Sequence, residues 1–193
     1  MPKQTKGFTL IELLIVIAIV AVLSVVVILT LNPAELLRQA RDSNRISDLS
    51  TIKSALSLYL ADGNTNWPTT GNCYVDSSAN IGASCVGTGS GQSARFVLTL
   101  TTVTSTSRLN NGNGWLPVNF TLISSGSPVP QLPTDPVRDA TNYYAFSASS
   151  TGLTFEINAR MESTKYNSGT GDVEANDGGN KTDVYEVGTD LAF

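Results

Sequence analysis

The chain has 193 residues, and its 12 Lys and Arg against 16 Asp and Glu give a formal net charge of −4. This balance argues against nucleic acid as a partner, because neutralising phosphates requires an excess of Lys and Arg. The chain contains no histidine, which excludes histidine-based catalytic triads and histidine-ligated zinc. Its two cysteines are too few for a four-cysteine metal site.

An apolar segment, residues 8–31, lies close to the N-terminus. As a helix rising about 1.5 Å per residue it would be about 36 Å long, enough to cross a hydrocarbon core of about 30 Å. Two lysines and no acid precede it, so the positive-inside rule places the N-terminus in the cytoplasm and everything after residue 31 outside. A cleaved secretory signal peptide fits less well, because its apolar region is shorter and lacks a carboxylate.

Glu12 is the exception within this apolar segment. A carboxylate in a spanning helix is costly and marks a functional site by default, and no Lys or Arg lies between Lys6 and Arg38. If the chain were cut after Gly7, Phe8 would carry a new α-ammonium group. Phe8 and Glu12 are four residues apart and share one helix face. We therefore expect Glu12 to pair with this amine, in its own chain or in a neighbouring molecule.

Residues 6–12, KGFTLIE, followed by the apolar run, resemble the N-terminal signature of type IV pilins and type II secretion pseudopilins. The resemblance implies that a membrane prepilin peptidase removes residues 1–7 by cutting after Gly7 and then N-methylates Phe8. It also implies a homo-oligomeric filament with other pilin-like subunits, an inner-membrane assembly platform, and Glu12 as the intersubunit partner of the Phe8 amine. Before assembly the protein would cross the cytoplasmic membrane once. Its head would lie outside, and later in a filament or at the cell surface.

The apolar run is interrupted at Asn32 and Pro33, and residues 32–63 are expected to form an amphipathic helix that continues into the head. Asn32 suits an N-cap, Pro33 the first helical position and Glu35 the third, which predicts a second helix starting here. The alternative is one long helix kinked at Pro33. Both interpretations place a weak point at about residues 29–33, and we assign Pro33 to assembly. Gly63 is expected to end the helix.

Charged residues in the first half of this second helix are spaced three or four positions apart. They are Glu35, Arg38, Arg41, Asp42, Arg45 and Asp48. This spacing predicts a solvated face stabilised by ion pairs within the helix. The alternative is salt bridging between subunits of a filament.

Residues 64–94 are rich in Gly, Ser, Thr and Asn, which predicts a long surface loop. The loop contains Cys73 and Cys85. Outside the cytoplasm an oxidised pair is the natural state, so we predict a disulfide. Such a bridge would stabilise the fold by about 3 kcal/mol. The alternative is two free thiols in an exposed loop.

Residues 95–193 are predicted to hold the sheet, with strands at 143–148, 153–161 and 183–187. Residues 95–104 are rich in β-branched side chains and fit a strand, with a helix as the alternative. Apolar and polar residues alternate clearly in 153–161, which predicts one buried and one solvated face. The apolar stripe of the helix and the apolar face of the sheet should pack on each other. The sequence therefore predicts an α+β, pilin-like fold: a long N-terminal helix, its first half transmembrane, packed under a small antiparallel β-sheet head of residues 64–193.

The segment Leu132-Pro133-Thr134-Asp135-Pro136, followed by Tyr143-Tyr144, resembles the region before the sheet in the major pseudopilin of type II secretion. That group has a calcium-binding loop after the second strand, and this chain does not share the sequence of that loop. Residues 167–182 instead place acids among glycines, and oxygen ligands on a turn-rich loop suit calcium. Candidate ligands are Asp172, Asp177 and Asp183. A solvated acidic loop without a metal is the alternative.

These observations favour a structural filament subunit, either a pseudopilin of a type II secretion-like system or a type IV pilin. No nucleophile–base pair is visible, so the sequence does not predict an enzyme. A DNA-binding pilin for DNA uptake is one alternative. Cleavage would leave ten basic against 16 acidic residues, and this excess of acid argues against it although Lys165-Tyr166 forms a close basic–aromatic pair in the distal head. A simple single-pass membrane-anchored protein is the other alternative.

Overall fold

The computed structural model describes residues 7–77, 83–86 and 94–193. It divides into two compact units, residues 1–37 and 38–193. The main elements are helices α1 (Leu10–Leu31), α2 (Pro33–Ala61) and α3 (Thr164–Asn167), and strands β1 (Asn72–Val75), β2 (Thr101–Thr104), β3 (Ala145–Ser149), β4 (Thr154–Ala159) and β5 (Tyr185–Gly188).

Helix α1 is the apolar element of the first unit. Its segment Leu10–Ile28 is long and apolar enough to cross a membrane, and none of that segment is buried within the structure. An apolar helix without a protein partner needs lipid or other helices around it. The transmembrane-like helix predicted from the sequence is therefore confirmed by its length and composition.

Asn32 separates α1 from α2. It adopts a left-handed conformation (φ 39°, ψ 73°) at the end of α1. Its Oδ1 atom accepts a hydrogen bond from the backbone N–H of Glu35 at 3.4 Å, as an N-cap does. Pro33, which has no N–H to donate, occupies the first position of α2. Of the two interpretations, the structure shows two consecutive helices and not one helix kinked at proline.

From Arg38 onward α2 belongs to the second unit, and its apolar stripe packs against the sheet. Leu49, Ile52 and Leu56 share one core cluster with sheet residues such as Phe146. The helix ends at Ala61, and Gly63 follows with φ 81°, a conformation that glycine adopts without strain. The prediction of an α+β fold with a helix packed on a small sheet is confirmed.

The sheet has the strand order β2-β1-β3-β4-β5. All neighbouring strands are antiparallel except β1 and β2, which run parallel. Strand β1 lies inside residues 64–94, so the prediction that this whole stretch is a loop is wrong. Its four residues are too short a run to stand out among Gly, Ser and Asn. Strand β2 is also shorter than predicted, because residues 95–98 form bends.

The sheet is covered on both faces. The face of β4 that alternation predicted to be solvated carries Glu156 and Asn158, and both are fully buried. Asn158 donates from Nδ2 to the backbone oxygen of Arg95 at 2.8 Å, and Phe193 donates its backbone N–H to Glu156 at 3.3 Å. The prediction of one wet face is therefore wrong, because chain segments distant in sequence lie over it. Phe96 and Phe193 belong to a second core cluster with Cys73.

Candidate functional site

The start of α1 is built by Thr9 and Glu12. The Thr9 hydroxyl oxygen accepts a hydrogen bond from the backbone N–H of Glu12 at 3.3 Å. Glu12 Oε2 accepts in return from the backbone N–H of Thr9 at 2.8 Å and from its hydroxyl at 2.7 Å. This reciprocal capping box satisfies two N–H groups that a helix start leaves unpaired. Glu12 therefore has a local partner, which the sequence analysis did not find.

The sequence did contain the signal for this box. Thr9-x-x-Glu12 before an apolar run is the capping-box pattern, and the search for an ionic partner passed over it. Both hydrogen bonds from Thr9 end on Oε2 of Glu12. Within the described residues, Oε1 of Glu12 accepts none, so this oxygen is available to a group from outside the chain.

The predicted cleavage point lies beside the box in an open position. Phe8 is 85% exposed, and a Cβ atom added to Gly7 would meet no atom within 4 Å. The structure thus brings Gly7, Phe8 and Glu12 to the same end of α1. Residues 1–6 of the predicted leader lie outside the described residues. Pro33, the other predicted assembly residue, lies at the opposite end of α1.

A buried ionic cluster centres on Arg45 in the second unit. The guanidinium group contacts Asp135 through two hydrogen bonds, Nε to Oδ2 at 2.6 Å and Nη2 to Oδ1 at 2.9 Å. Its Nη1 atom donates to Asp42 and to Glu162, each at 2.7 Å. The side chains of Arg45, Asp42 and Asp135 are completely buried. The prediction of a solvated charged face is therefore wrong here, because the partners come from positions 90 and 117 residues away.

Hydrogen bonds between opposite charges favour the ionised forms of Arg45 and Glu162. Burial by itself lowers the pKa of Arg45, but its hydrogen bonds and charge interactions with Asp135, Glu162 and Asp42 outweigh burial and raise it. Burial likewise raises the pKa of Glu162, and its hydrogen bonds with Arg41 and Arg45 reverse that effect and lower it. The buried hydrogen bonds of Arg45 to Asp135 and Glu162 therefore act as a fixed cross-link between α2 and the chain around the sheet.

The segment 132–136, which resembles a pseudopilin motif, supplies one of the acids that bind Arg45. Asp135 lies in this segment, and its backbone N–H donates to the buried carboxylate of Asp76 at 2.7 Å. Asp76 also accepts from the backbone N–H of Tyr144 at 2.8 Å. Burial raises the pKa of Asp76 to about 7, against the lowering effect of these two hydrogen bonds. The segment is thus fixed on one side by Arg45 and on the other by Asp76.

The structure joins Cys73 and Cys85 by a disulfide, with their Cα atoms 6.3 Å apart. Cys73 lies in β1 and both residues are buried. Next to the bridge, the Tyr143 hydroxyl donates to the backbone oxygen of Ser84 at 2.8 Å. Residues 78–82 of the bridged loop lie outside the described residues. The bridge attaches the chain after β1 to the covered outer face of the sheet.

Each of the three acids predicted to bind calcium has its own hydrogen-bond or ion-pair partners within the protein. Asp172 accepts from the backbone N–H groups of Glu174 and Ala175, both at 3.0 Å. Asp177 accepts from the backbone N–H groups of Gly179 at 2.8 Å and Glu186 at 2.6 Å.

Asp183, the third candidate, forms ion pairs with Arg160 at 3.1 Å and Lys181 at 3.6 Å. Across residues 7–77, 83–86 and 94–193, no group of three His, Cys, Asp or Glu side chains is placed to hold a metal ion. Calcium binding by Asp172, Asp177 and Asp183 stays a prediction.

Comparison with protein families gives one match, the prokaryotic N-terminal methylation motif, over residues 2–28. Comparison with curated proteins gives no match, and comparison with solved structures gives none either. The motif covers the predicted cleavage point and most of the apolar helix. It marks a substrate of prepilin peptidase and fits a membrane-anchored precursor with one apolar N-terminal helix. The chain therefore carries the type IV pilin and pseudopilin signature, on an N-terminal apolar helix followed by an α+β, pilin-like arrangement.

Proposed function

We propose that the protein is a structural subunit of an extracytoplasmic filament, either a pseudopilin of a type II secretion-like system or a type IV pilin. The observation that carries the proposal is the start of α1. An exposed Gly7–Phe8 bond precedes an apolar helix whose first turn contains Glu12, and the methylation motif covers all three residues.

In the proposed mechanism, prepilin peptidase cuts after Gly7 and methylates the new amine of Phe8. Methylation keeps the positive charge of this amine. The precursor crosses the cytoplasmic membrane with its N-terminus inside, and an inner-membrane platform moves the processed subunit from lipid into a filament with copies of itself and other pilin-like subunits. No catalytic step by the chain itself is part of this mechanism.

Glu12 has a defined task in this assembly. Its Oε2 atom remains in the capping box with Thr9, which cleavage after Gly7 leaves intact. Its Oε1 atom accepts the Phe8 ammonium of the neighbouring subunit. Leaving one buried charge without its partner typically costs about 3–5 kcal/mol, so this pair strongly favours the assembled register.

A simple membrane anchor is the second candidate, and the capping box is the observation that favours it. The box gives Glu12 a structural role at the helix start that requires no second molecule. Glu12 is the N3 residue of this box, and its carboxylate satisfies the backbone N–H of the Thr9 N-cap, which gives a monomer a reason to retain it. The two candidates differ in whether the charge of Glu12 is needed or only its ability to accept a hydrogen bond.

Three variants in the native host membrane separate these candidates. Glu12→Gln keeps an acceptor for the capping box and removes the charge. Glu12→Val removes both, and Thr9→Ala weakens the box but keeps the charge. We expect all three to be inserted and cut after Gly7. The measurement is the sheared-filament fraction relative to the membrane fraction.

The filament mechanism predicts that Glu12→Gln and Glu12→Val both assemble poorly, with an intersubunit affinity lower by about a hundredfold or more. Thr9→Ala should assemble nearly as well as the parent chain. A fourth variant, Glu12→Asp, should be intermediate, because the charge remains while its reach shortens. A normal filament yield from Glu12→Gln would contradict the charge pairing, whereas a parent chain that gives no sheared-filament fraction at all would support the anchor.

A further inference from the structure

Charge is distributed unevenly along the chain of the second unit. Residues 77–134 contain no Asp or Glu, and their only charged side chains are Arg95 and Arg108. Arg95 is 3% exposed and lies over the Tyr143 ring, whereas Arg108 is exposed. Residues 169–193 hold six acids against one lysine. One segment of the head therefore presents a single positive charge to solvent, and another is strongly acidic.

Arg108 and Leu109 form an exposed surface that has no acidic partner of its own. The Nε atom of Arg108 donates to the backbone oxygen of Leu132 at 2.8 Å, which anchors the side chain. Within the described residues Arg108 forms no salt bridge. Leu109, the next residue, is 52% exposed. A cation beside an exposed apolar side chain fits a site that offers acids together with apolar walls.

The second unit contains a cleft of this mixed character. It has a volume of about 820 Å³ and is lined by Lys53 of α2 and by residues 169–173, 176–177, 185–188 and 191. Its apolar side chains are Val173, Val187 and Leu191. The cleft is therefore large enough to receive side chains from another protein surface, and its walls are partly apolar.

The charge in the cleft is negative. Three acids line it, against the single cation Lys53. Glu186 is hydrogen-bonded to the buried Glu156, so the charge available to a partner lies on Asp172 and Asp177. Both hydrogen bonds that Asp172 accepts end on Oδ1, and within the described residues its Oδ2 atom accepts none. Asp172 can therefore bind a cation from outside without losing its own contacts.

The cleft and the Arg108 surface lie on opposite flanks of α2. Lys53 lines the cleft. Asp48 lies on the other flank, where burial raises its pKa and the nearby charge of Arg108 acts against that increase. At about 100° per residue, positions 48 and 53 point about 140° apart around the helix axis. Arg108 therefore cannot enter the cleft of its own head, and a contact between the two requires a second copy.

We propose that the Arg108 surface of one subunit docks into the cleft of a second copy of this chain, with Arg108 paired to Asp172. The inference rests on the proposed filament function and adds a contact between heads. Because the two surfaces differ, each docked subunit leaves one surface open for the next, which permits an open filament. Lys53 repels a second cation, so Arg108 contacts the loop wall of the cleft and not the α2 wall.

Charge reversal of the full chain in the native host membrane tests this contact. Arg108→Glu and Asp172→Arg each place like charges opposite each other, which is strongly unfavourable. Each should lower the sheared-filament fraction about tenfold or more. The double variant Arg108→Glu, Asp172→Arg restores opposite charges and should assemble better than either single variant.

Lys165→Glu is the matched control. It makes the same change in net charge as Arg108→Glu, and Lys165 is exposed and belongs to neither surface. Its filament yield should equal that of the parent chain. Both tryptophans, Trp67 and Trp115, are buried in the second unit, so their emission during urea unfolding shows whether each variant is folded.

A crosslinking experiment does not depend on charge reversal. Arg108→Lys keeps the positive charge and supplies an amine, which a carbodiimide couples only to a carboxylate in direct contact. Filaments of this variant should give a ladder of crosslinked multimers that parent filaments lack. Adding Asp172→Asn to Arg108→Lys removes the proposed acceptor and should weaken the ladder.

The outcomes separate this contact from the proposed function. A parent chain that forms no filament would overturn both. Parent filaments together with a normal yield from Arg108→Glu, a double variant no better than the single variants, or no ladder from Arg108→Lys would overturn the contact alone. If Arg108→Glu fails to fold, the ladder decides.

Discussion

The Glu12 carboxylate has two oxygens, and the start of α1 uses only one of them. Oε2 receives both hydrogen bonds from Thr9, while Oε1 accepts none from the described residues and the residue as a whole is exposed. Capping and intersubunit pairing therefore do not compete for the same atom. An acid at this position can stabilise the helix start in the precursor and keep a free oxygen for a later partner.

The exposed Gly7–Phe8 bond leads to a prediction about processing. We expect the mature protein to begin at Phe8 and to carry a methyl group on its α-amine, because the methylation motif spans this bond. Intact-mass and N-terminal analysis of the protein from its native membrane measures both properties. An N-terminus at residue 1, or beyond residue 30, would end the pilin interpretation.

At the scale of elements, α2 is attached to the head in two chemically different ways. Its middle carries the buried charges around Arg45, and its last turns carry the apolar stripe from Leu49 to Tyr59. Apolar packing tolerates small shifts, whereas a guanidinium bound to Asp135 by two hydrogen bonds allows one position. We infer that the charges fix the register of the helix and that the stripe supplies most of the stabilisation.

Removing one member of the Arg45 cluster is expected to lower the stability of the fold strongly, whereas replacing several charged members by apolar residues is expected to lower it much less. Arg45→Met leaves Asp42 and Asp135 buried without a cation, which should lower the free energy of unfolding by about 3–5 kcal/mol. Arg45→Met combined with Asp135→Leu should recover part of this loss, because fewer buried charges remain. Urea unfolding of the full chain in detergent, followed by tryptophan emission, measures both variants.

Arg41→Met is the control for this experiment. Arg41 also pairs with Glu162, but its side chain is 32% exposed. Because exposed ion pairs contribute about 0–1 kcal/mol, this variant should unfold close to the parent midpoint. If Arg41→Met and Arg45→Met lowered the free energy of unfolding equally, burial of the Arg45 side chain would not be the cause of the destabilisation.

The disulfide belongs to the same scale, because it attaches the chain after β1 to the sheet. In the exported protein we expect Cys73 and Cys85 to be fully oxidised, so neither should react with a thiol label before reduction. Reduction should lower the free energy of unfolding by about 3 kcal/mol. The double variant Cys73→Ser, Cys85→Ser is the control and should not respond to the reductant. Labelling of both thiols in the unreduced protein would disprove the bridge.

At the scale of the whole chain, strong local patterns were sufficient for much of the architecture. The apolar run predicted α1, the spacing of Leu49, Ile52 and Leu56 predicted the packing face of α2, and the alternation around Phe155 predicted β4. Each of these signals depends on neighbours within a few residues. The α+β arrangement then followed from the need to bury an apolar stripe and an apolar strand face against each other.

The errors have a common physical cause, because each depends on a partner far along the chain. Arg45 was predicted to be solvated, since the sequence does not show that Asp135 folds over it. Glu156 and Asn158 were predicted to face water, since nothing local indicates that residues 95–96 cover them.

The position of the Arg45 cluster also has a mechanical consequence. A tensile load that enters the head through α2 reaches residues 41–45 before it reaches the apolar stripe. There, Arg41 and Arg45 are held by hydrogen bonds to Asp135 and Glu162, two points that lie far apart in sequence. Bonds loaded side by side share the force and must break together, so rupture is expected to be abrupt. The charged middle of α2 would then resist the load until its hydrogen bonds break together, and the apolar core would not be pulled apart residue by residue before that point.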